Sequence, residues 1–177
     1  MPDSNNAPAL DGIRRNGPVA FAIRLLASGL FISLLPAWLL KGRKNTGAGF
    51  MGTVAAVATV PLLPENPAVY TVFLAVFTAG AIWISDRADF GAGQPDDPRI
   101  VIDEIAGYYF AIAFLPRTTA ALLLCFILFR LFDTLKPFGI KKLDMIKNGF
   151  GVVIDDVASG IAVNILMWIA YLCAIRL

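Results

Sequence analysis

Five carboxylates stand in or beside otherwise apolar stretches of this chain: Asp103 with Glu104, Asp133, and Asp155 with Asp156. A charge at the middle of a membrane helix costs roughly 2.5–3.5 kcal/mol on insertion scales, and less near the interface. Helix dipoles favour acids at N-termini, which accounts for one or two of them as caps. Five at one depth point instead to a site for a hard cation. Oxygen ligands alone suit Mg2+, Mn2+ or Ca2+ better than zinc or copper. The chain has no histidine, so imidazole is excluded as base, nucleophile or ligand. Its two cysteines, Cys125 and Cys173, lie inside apolar runs. They have no metal-ligand spacing and build no disulfide framework, and both are expected to be small buried residues.

Two cations accompany the acids. Arg130 and Asp133 share a helix face at spacing i, i+3, and Lys136 follows one turn later. A second candidate element is Lys44-Asn45-Thr46-Gly47-Ala48-Gly49-Phe50-Met51-Gly52-Thr53. Glycines opening a helix let backbone N–H groups point at an anion, and the helix N-terminus favours negative charge. Beside a cation site this suggests a ligand carrying phosphate; close helix packing is the other reading of the same glycines. No Gly-Lys-Ser/Thr ending is present, so the stretch is not a Walker loop. Three phosphatase designs drop out. Cys125 and Arg130 are one residue short of a Cys-x5-Arg loop, histidine is lacking, and no Asp-x-Asp-x-Thr/Val motif occurs. Metal-assisted attack by water, or attack by a carboxylate, remains.

The elements that must position these residues are membrane helices. Of 177 residues, 58% are hydrophobic and 16% charged, against roughly 25% charged in a soluble domain. Mean hydropathy is +0.71. So small a soluble domain has too much surface to hide that apolar area, which argues against a soluble enzyme, a disordered chain or a nucleic-acid-binding module. Apolar segments run over 19–40, 47–63, 68–85, 100–115, 119–132 and 152–175. A polar tail, 1–18, precedes them without a secretory pattern. The loops at 41–47, 86–99 and 133–150 hold nine basic residues, whereas 64–67 and 116–118 hold one, Arg117. Positive loops stay in the cytoplasm. Arg14 and Arg15 place the tail there too, so 19–40 is expected not to cross, but to dip into the bilayer or lie along it, bent near Pro36. The expected fold is an all-α integral membrane protein: a compact bundle of about five transmembrane helices plus an N-terminal re-entrant or interfacial helix. Residues 19–177 form one membrane-embedded catalytic domain, and its carboxylates fall near the cytoplasmic edge. Small residues on the same faces, Gly107 and Ala111 after Asp103 and Ser159 with Gly160 after the Asp pair, allow the helices to approach closely.

Three segments carry a resemblance. Ile-Val-Ile-Asp-Glu-Ile-Ala-Gly at 100–107 resembles the I-V-x-D-E-x-x-G segment of the phosphatidylglycerophosphatase A family. Phe-Arg-Leu-Phe-Asp-Thr-Leu-Lys-Pro-Phe-Gly-Ile at 129–140 is similar to its F-R-x-x-D-x-x-K-P-x-x-I segment. Gly-Phe-Gly-Val-Val-Ile-Asp-Asp-Val-Ala-Ser-Gly at 149–160 is similar to its G-x-G-x-x-x-D-D-x-x-A/S-G segment. Order and spacing agree, and with the glycine segment the match covers most of 45–165. The glycine segment departs from the family's P-G-T-x-G-S/T, with Ala48 for Pro and Phe50 for the first Thr.

The resemblance implies a Mg2+-dependent enzyme of the bacterial cytoplasmic membrane, multi-pass, that hydrolyses phosphatidylglycerophosphate to phosphatidylglycerol and inorganic phosphate on the cytoplasmic side. Mn2+ is the expected substitute metal, and the partners are the anionic phospholipid and the membrane, with a homo-oligomer left open. The resemblance assigns Asp103, Glu104, Arg130, Asp133, Lys136, Asp155 and Asp156 to the site, the same set that charge and depth select. The acids are the expected metal ligands and catalytic groups. Arg130, Lys136, Gly49, Gly52, Thr53, Lys44 and Asn45 are the expected phosphate contacts. The competing class is a small cation transporter or channel subunit, whose acids should sit near the bilayer midplane.

Overall fold

A computed structural model describes residues 17–36, 47–91, 97–137, 140, 146 and 148–175. Among these the chain is all-α, with six α-helices and no strand: α1 Gly17–Ala27, α2 Ala48–Thr59, α3 Pro67–Arg87, α4 Ile102–Ala111, α5 Thr119–Leu135 and α6 Gly149–Ile175. Local chemistry sets the boundaries. Asn66 caps α3 by accepting the N–H groups of Ala68 and Val69, with Pro67 in the first turn. Thr118 accepts the Ala121 N–H at the start of α5. The Asn148 carboxamide oxygen accepts the Gly151 N–H at the start of α6. Pro137 disfavours helical backbone at the residue before it, and α5 ends there, with Lys136 left-handed at φ 43°.

Two helices are long and apolar enough to cross a membrane, α3 and the Gly149–Cys173 part of α6. The segments expected as three further crossings are shorter as helices: α2 has 12 residues, α4 has 10 and α5 has 17. A 3-10 turn, Val60–Leu62, extends α2. The first apolar segment is not one helix. Its 11 residues of α1 rise about 16 Å, half of a hydrocarbon core of roughly 30 Å. Among the described residues the break falls where Gly29, Leu30 and Phe31 are all left-handed; the residues that follow Pro36, where a bend is expected, lie outside them. Gly29 tolerates that backbone, and Ser28 Oγ accepts the Phe31 N–H at 3.0 Å in place of a helical bond.

The bundle turns apolar side chains outward. Val69, Val72 and Val76 on α3, Leu124, Ile127 and Leu131 on α5, and Ile161, Ile165, Ile169 and Leu172 on α6 are all exposed, in rows at helical spacing. Soluble monomers rarely expose contiguous apolar surface of that kind. Cys125 is buried as expected, but Cys173 is exposed, because the last turns of α6 run past their neighbours.

The centre is α4, seven of whose ten residues are buried. It runs parallel to α6 in matched register. A Cβ on Gly107 would lie 2.6 Å from the Asp156 carbonyl oxygen and 2.7 Å from the Phe129 ring, and one on Gly160 would collide with the Gly107 carbonyl. One turn on, Asn164 Nδ2 donates to the carbonyls of Ala111 and Ala113 at 3.1 and 2.8 Å. At that end of the bundle Arg117 ties two connections together, donating to the carbonyls of Leu63 and Pro64 at 2.8 and 2.6 Å. At the opposite end Gly149 packs on Asp86, so the end of α3 and the start of α6 are neighbours.

Replacing Gly160 with Val should separate α4 from α6. The expected result is a destabilisation of about 1–3 kcal/mol or more, the usual cost of overpacking, read as a lower thermal midpoint in detergent. Gly80, with open space at its Cβ position, should accept Ala with no such loss.

Candidate active site at four helix ends

The site forms where α2 and α4 begin, α5 ends and the second turn of α6 passes. Asp103 and Glu104 occupy the first turn of α4, where the dipole favours acids. Asp103 Oδ1 accepts the Glu104 N–H at 3.0 Å. A helix that begins with the apolar segment at 152 has Asp155 and Asp156 in its first turn. Here they lie in the second, because α6 starts at Gly149, where the lack of a side chain admits the backbone of α3. Asp155 and Asp156 are each 4% exposed, so the acids are inside the protein and not on a solvated face.

One carboxylate oxygen each from Asp103, Glu104 and Asp156 lies within 4.8 Å of the others. A single Mg2+ ion, with oxygen ligands at about 2.1 Å, would draw them to within about 4.2 Å of one another. Glu104 Oε2 is buried with no hydrogen-bond partner among the described residues. An all-oxygen donor set with an orphaned buried oxygen fits a hard divalent cation. Asp133 lies beside Asp156 and holds Arg130, with 2.9 Å between its Oδ2 and Nη1. Asp155 instead faces Lys136, whose Nζ is 2.5 Å from its Oδ2.

Arg130 links the acids to α2. Its Nη1 lies 4.0 Å from Glu104 Oε1 and donates to Thr53 Oγ1 at 3.4 Å. Thr53 is fully buried and donates to the Gly49 carbonyl at 3.0 Å. The two glycines do packing work here. A Cβ on Gly49 would fall on the Glu104 carboxylate, and one on Gly52 would lie 2.7 Å from Val101 Cβ. Phe50 points elsewhere, half exposed and edge-on to Phe126 at 5.2 Å. Thus Gly49, Gly52, Thr53, Asp103, Glu104, Arg130, Asp133, Lys136, Asp155 and Asp156 come together. Lys44 and Asn45 lie outside the described residues, as does the tail with Arg14 and Arg15.

A supporting strap was not singled out from the sequence. Asp97, 3% exposed, forms a two-bond fork with Arg99 at 2.7 and 2.6 Å. Arg99 Nη2 also donates to the Phe90 carbonyl, and Ser33 Oγ donates to the Arg99 carbonyl at 2.8 Å. Val101 N–H donates to the Ala27 carbonyl at 2.8 Å. The break after α1 is thereby fastened to the residues that lead into Asp103. The sequence signal was the acid-Pro-Arg run just before 100–107, which reads as a solvated loop.

Gly49→Ala should displace Glu104 while leaving the apolar core intact. Phosphatase turnover is expected to fall at least about tenfold, the scale of a misplaced catalytic group, with the thermal midpoint in detergent nearly unchanged. Phe50→Thr should leave turnover near normal.

Comparison with known proteins agrees with this geometry. A family model described as phosphatidylglycerophosphatase A matches residues 25–171. A Bacteroides thetaiotaomicron protein that carries the provisional name phosphatidylinositol-3-phosphatase is 31% identical over 131 residues, 71% of this chain and 82% of that one. A Haemophilus influenzae phosphatidylglycerophosphatase A is 33% identical over 153 residues, 84% of this chain and 89% of its own length. The Escherichia coli phosphatidylglycerophosphatase A is 28% identical over 127 residues, 70% and 74% of the two chains. No solved structure matches. With the family model covering every site residue on α2, α4, α5 and α6, the chain belongs to the phosphatidylglycerophosphatase A family.

Proposed function

We propose that this chain hydrolyses the terminal phosphate monoester of phosphatidylglycerophosphate to phosphatidylglycerol and inorganic phosphate, with Mg2+ as its metal. One observation carries the reading: three carboxylates, two of them buried and Glu104 partly so, converge beside Arg130 and Lys136 in a chain of this family. Two relatives are named for this activity, and the name of the third also specifies a lipid phosphate monoester. The cation-transporter alternative gains no support from the family or from acids gathered at helix ends.

Asp103, Glu104 and Asp156 would hold the metal, which when bound offsets phosphate charge and lowers the pKa of a water. Arg130 presents a planar fork to phosphate oxygens and Lys136 a point charge. Water attacks phosphorus, the phosphorus–oxygen bond to glycerol breaks, and the departing oxygen takes a proton. A carboxylate outside the metal set, with Asp133 beside Asp156 as our candidate, accepts the proton of the attacking water and passes one to the departing oxygen. The lipid tails stay in the bilayer between helices.

The site lies at the cytoplasmic surface of a multi-pass inner-membrane protein in this reading. Helices α2 to α6 cross in alternation, and α1 dips into the bilayer or lies along it. The meeting of the connections before α3 and α5 at one end, and of the end of α3 with the start of α6 at the other, supports this threading. So does Arg117, the one basic residue of the outer loops, whose guanidinium is engaged by backbone carbonyls.

Purified protein should release phosphate from phosphatidylglycerophosphate in mixed micelles. EDTA should abolish release, Mg2+ or Mn2+ should restore it, and zinc should serve poorly. Asp103→Asn and Asp156→Asn should each lower turnover about 100-fold or more, beyond the 10–100-fold typical of residues one shell further out. Full activity after exhaustive chelation overturns the metal reading. In a cysteine-free background, a cysteine at Asn66 should react with an impermeant thiol reagent in intact cells. One at Lys147 should react only after the membrane is opened. The reverse pattern inverts the orientation and removes the site from the leaflet on which the substrate is expected.

A further inference from the structure

The five acids of the site do not all face the same way, and both oxygens of Asp155 have protein partners outside the acid cluster's shared space. Its Oδ1 accepts the Asp156 N–H at 3.0 Å, and its Oδ2 meets Lys136 Nζ at 2.5 Å. Asp155 is also outside the trio of carboxylates that share one small space. Lys136 arrives there by a backbone device. Pro137 ends α5, and Lys136 takes a left-handed conformation, with its N–H closing on the Phe132 carbonyl at 2.7 Å. That conformation is costly for a residue with a side chain and persists where surroundings over-determine it. Here a buried carboxylate on the neighbouring helix supplies the restraint.

We infer that Asp155 is a positioning residue that acts through Lys136, aiming its ammonium at the substrate phosphate, and is not a metal ligand. The inference rests on the proposed phosphatase reading of the same site. It gives the adjacent acids different roles, since Asp156 turns to the metal and Asp155 turns to the cation that meets phosphate. An ammonium left without such a partner keeps its charge but has many rotamers, so the loss should appear in substrate binding.

The test is a double-mutant cycle on the full chain in detergent, with Asp155→Asn, Lys136→Gln and the pair together. Three readouts are needed: kcat and KM for phosphatidylglycerophosphate, inhibition by inorganic phosphate, and Mn2+ binding followed by the electron paramagnetic resonance of free Mn2+. Each single variant should raise KM and weaken phosphate inhibition by about tenfold, the equivalent of 1.4 kcal/mol. Mn2+ affinity should stay within about twofold of the unsubstituted protein, while Asp103→Asn loses it. The double variant should be no worse than Lys136→Gln alone, as expected for groups acting as one unit. Asp155→Glu, which keeps the charge, should recover part of the KM.

Mn2+ binding weakened by Asp155→Asn as much as by Asp103→Asn overturns the inference, as does a double variant whose effects multiply. Should Asp155→Asn fail to fold, Lys136→Gln alone decides: unchanged phosphate inhibition overturns the assignment, and weakened inhibition at intact Mn2+ affinity supports it. Failure of the phosphatase reading looks different, since the unsubstituted protein would then release no phosphate at all.

Discussion

Backbone meets backbone where α4 crosses α6, with Gly107 set against the Asp156 carbonyl and Gly160 set against the Gly107 carbonyl. Neither position has room for a side chain, and that closeness brings the first turn of α4 alongside the second turn of α6. The two helices run parallel, so their acids meet at one end. At the other end Asn164 satisfies the carbonyls that the short α4 leaves open. In a bilayer, small residues at helix contacts supply the packing that apolar driving force cannot. The register of the carboxylates is therefore set by two glycines that take no part in the chemistry.

Closeness creates an electrostatic problem which the remaining helices address. Five acids in one buried region repel one another and lack water, and a buried charge must be paired. Helix α5 delivers Arg130 from its penultimate turn and Lys136 from its cap, and they meet Asp133 and Asp155. Helix α2 closes the space from the far side, with Thr53 and the bare Gly49 backbone against Arg130 and Glu104. Among the described residues, two cations against five acids leave a formal excess of negative charge on the trio of Asp103, Glu104 and Asp156. That excess is the physical ground for proposing a divalent metal there.

The helices were legible because apolar runs of membrane length leave little choice of backbone, and the site was legible because charge in such runs is costly. Asp103, Glu104, Arg130 and Asp133 fall on the turns where the spacing put them. Features that depend on contacts far apart in the chain were not legible. Nothing local marks Leu30 and Phe31 as left-handed; the break they make follows from Ser28 and from the contact of Gly29 with Val101. The start of α6 at Gly149 was hidden because two glycines read as loop, whereas here the first admits the backbone of α3. The Asp97–Arg99 fork looked like solvated loop charge until Ser33 and Phe90 were seen to hold it.

The glycine segment shows why a motif can diverge without harm to its site. On α2, positions 49, 52, 53 and 56 share one helical face, and all but Gly49 are fully buried or nearly so. Position 50 is turned about 100° away from position 49, toward α5 and the exterior. A Thr there in the family pattern and Phe50 here are alternatives on a surface that Phe126 lines. The residues that touch Glu104, Val101 and Arg130 keep the family pattern, since a Cβ at Gly49 or Gly52 has no space and Thr53 has a hydroxyl bonded on both sides. The divergence at Phe50 falls on the face of α2 that the site does not use, and the one at Ala48 is a small buried residue a turn before Gly52, which makes the packing of α2, more than its N-terminus as an anion cradle, the constraint on this segment.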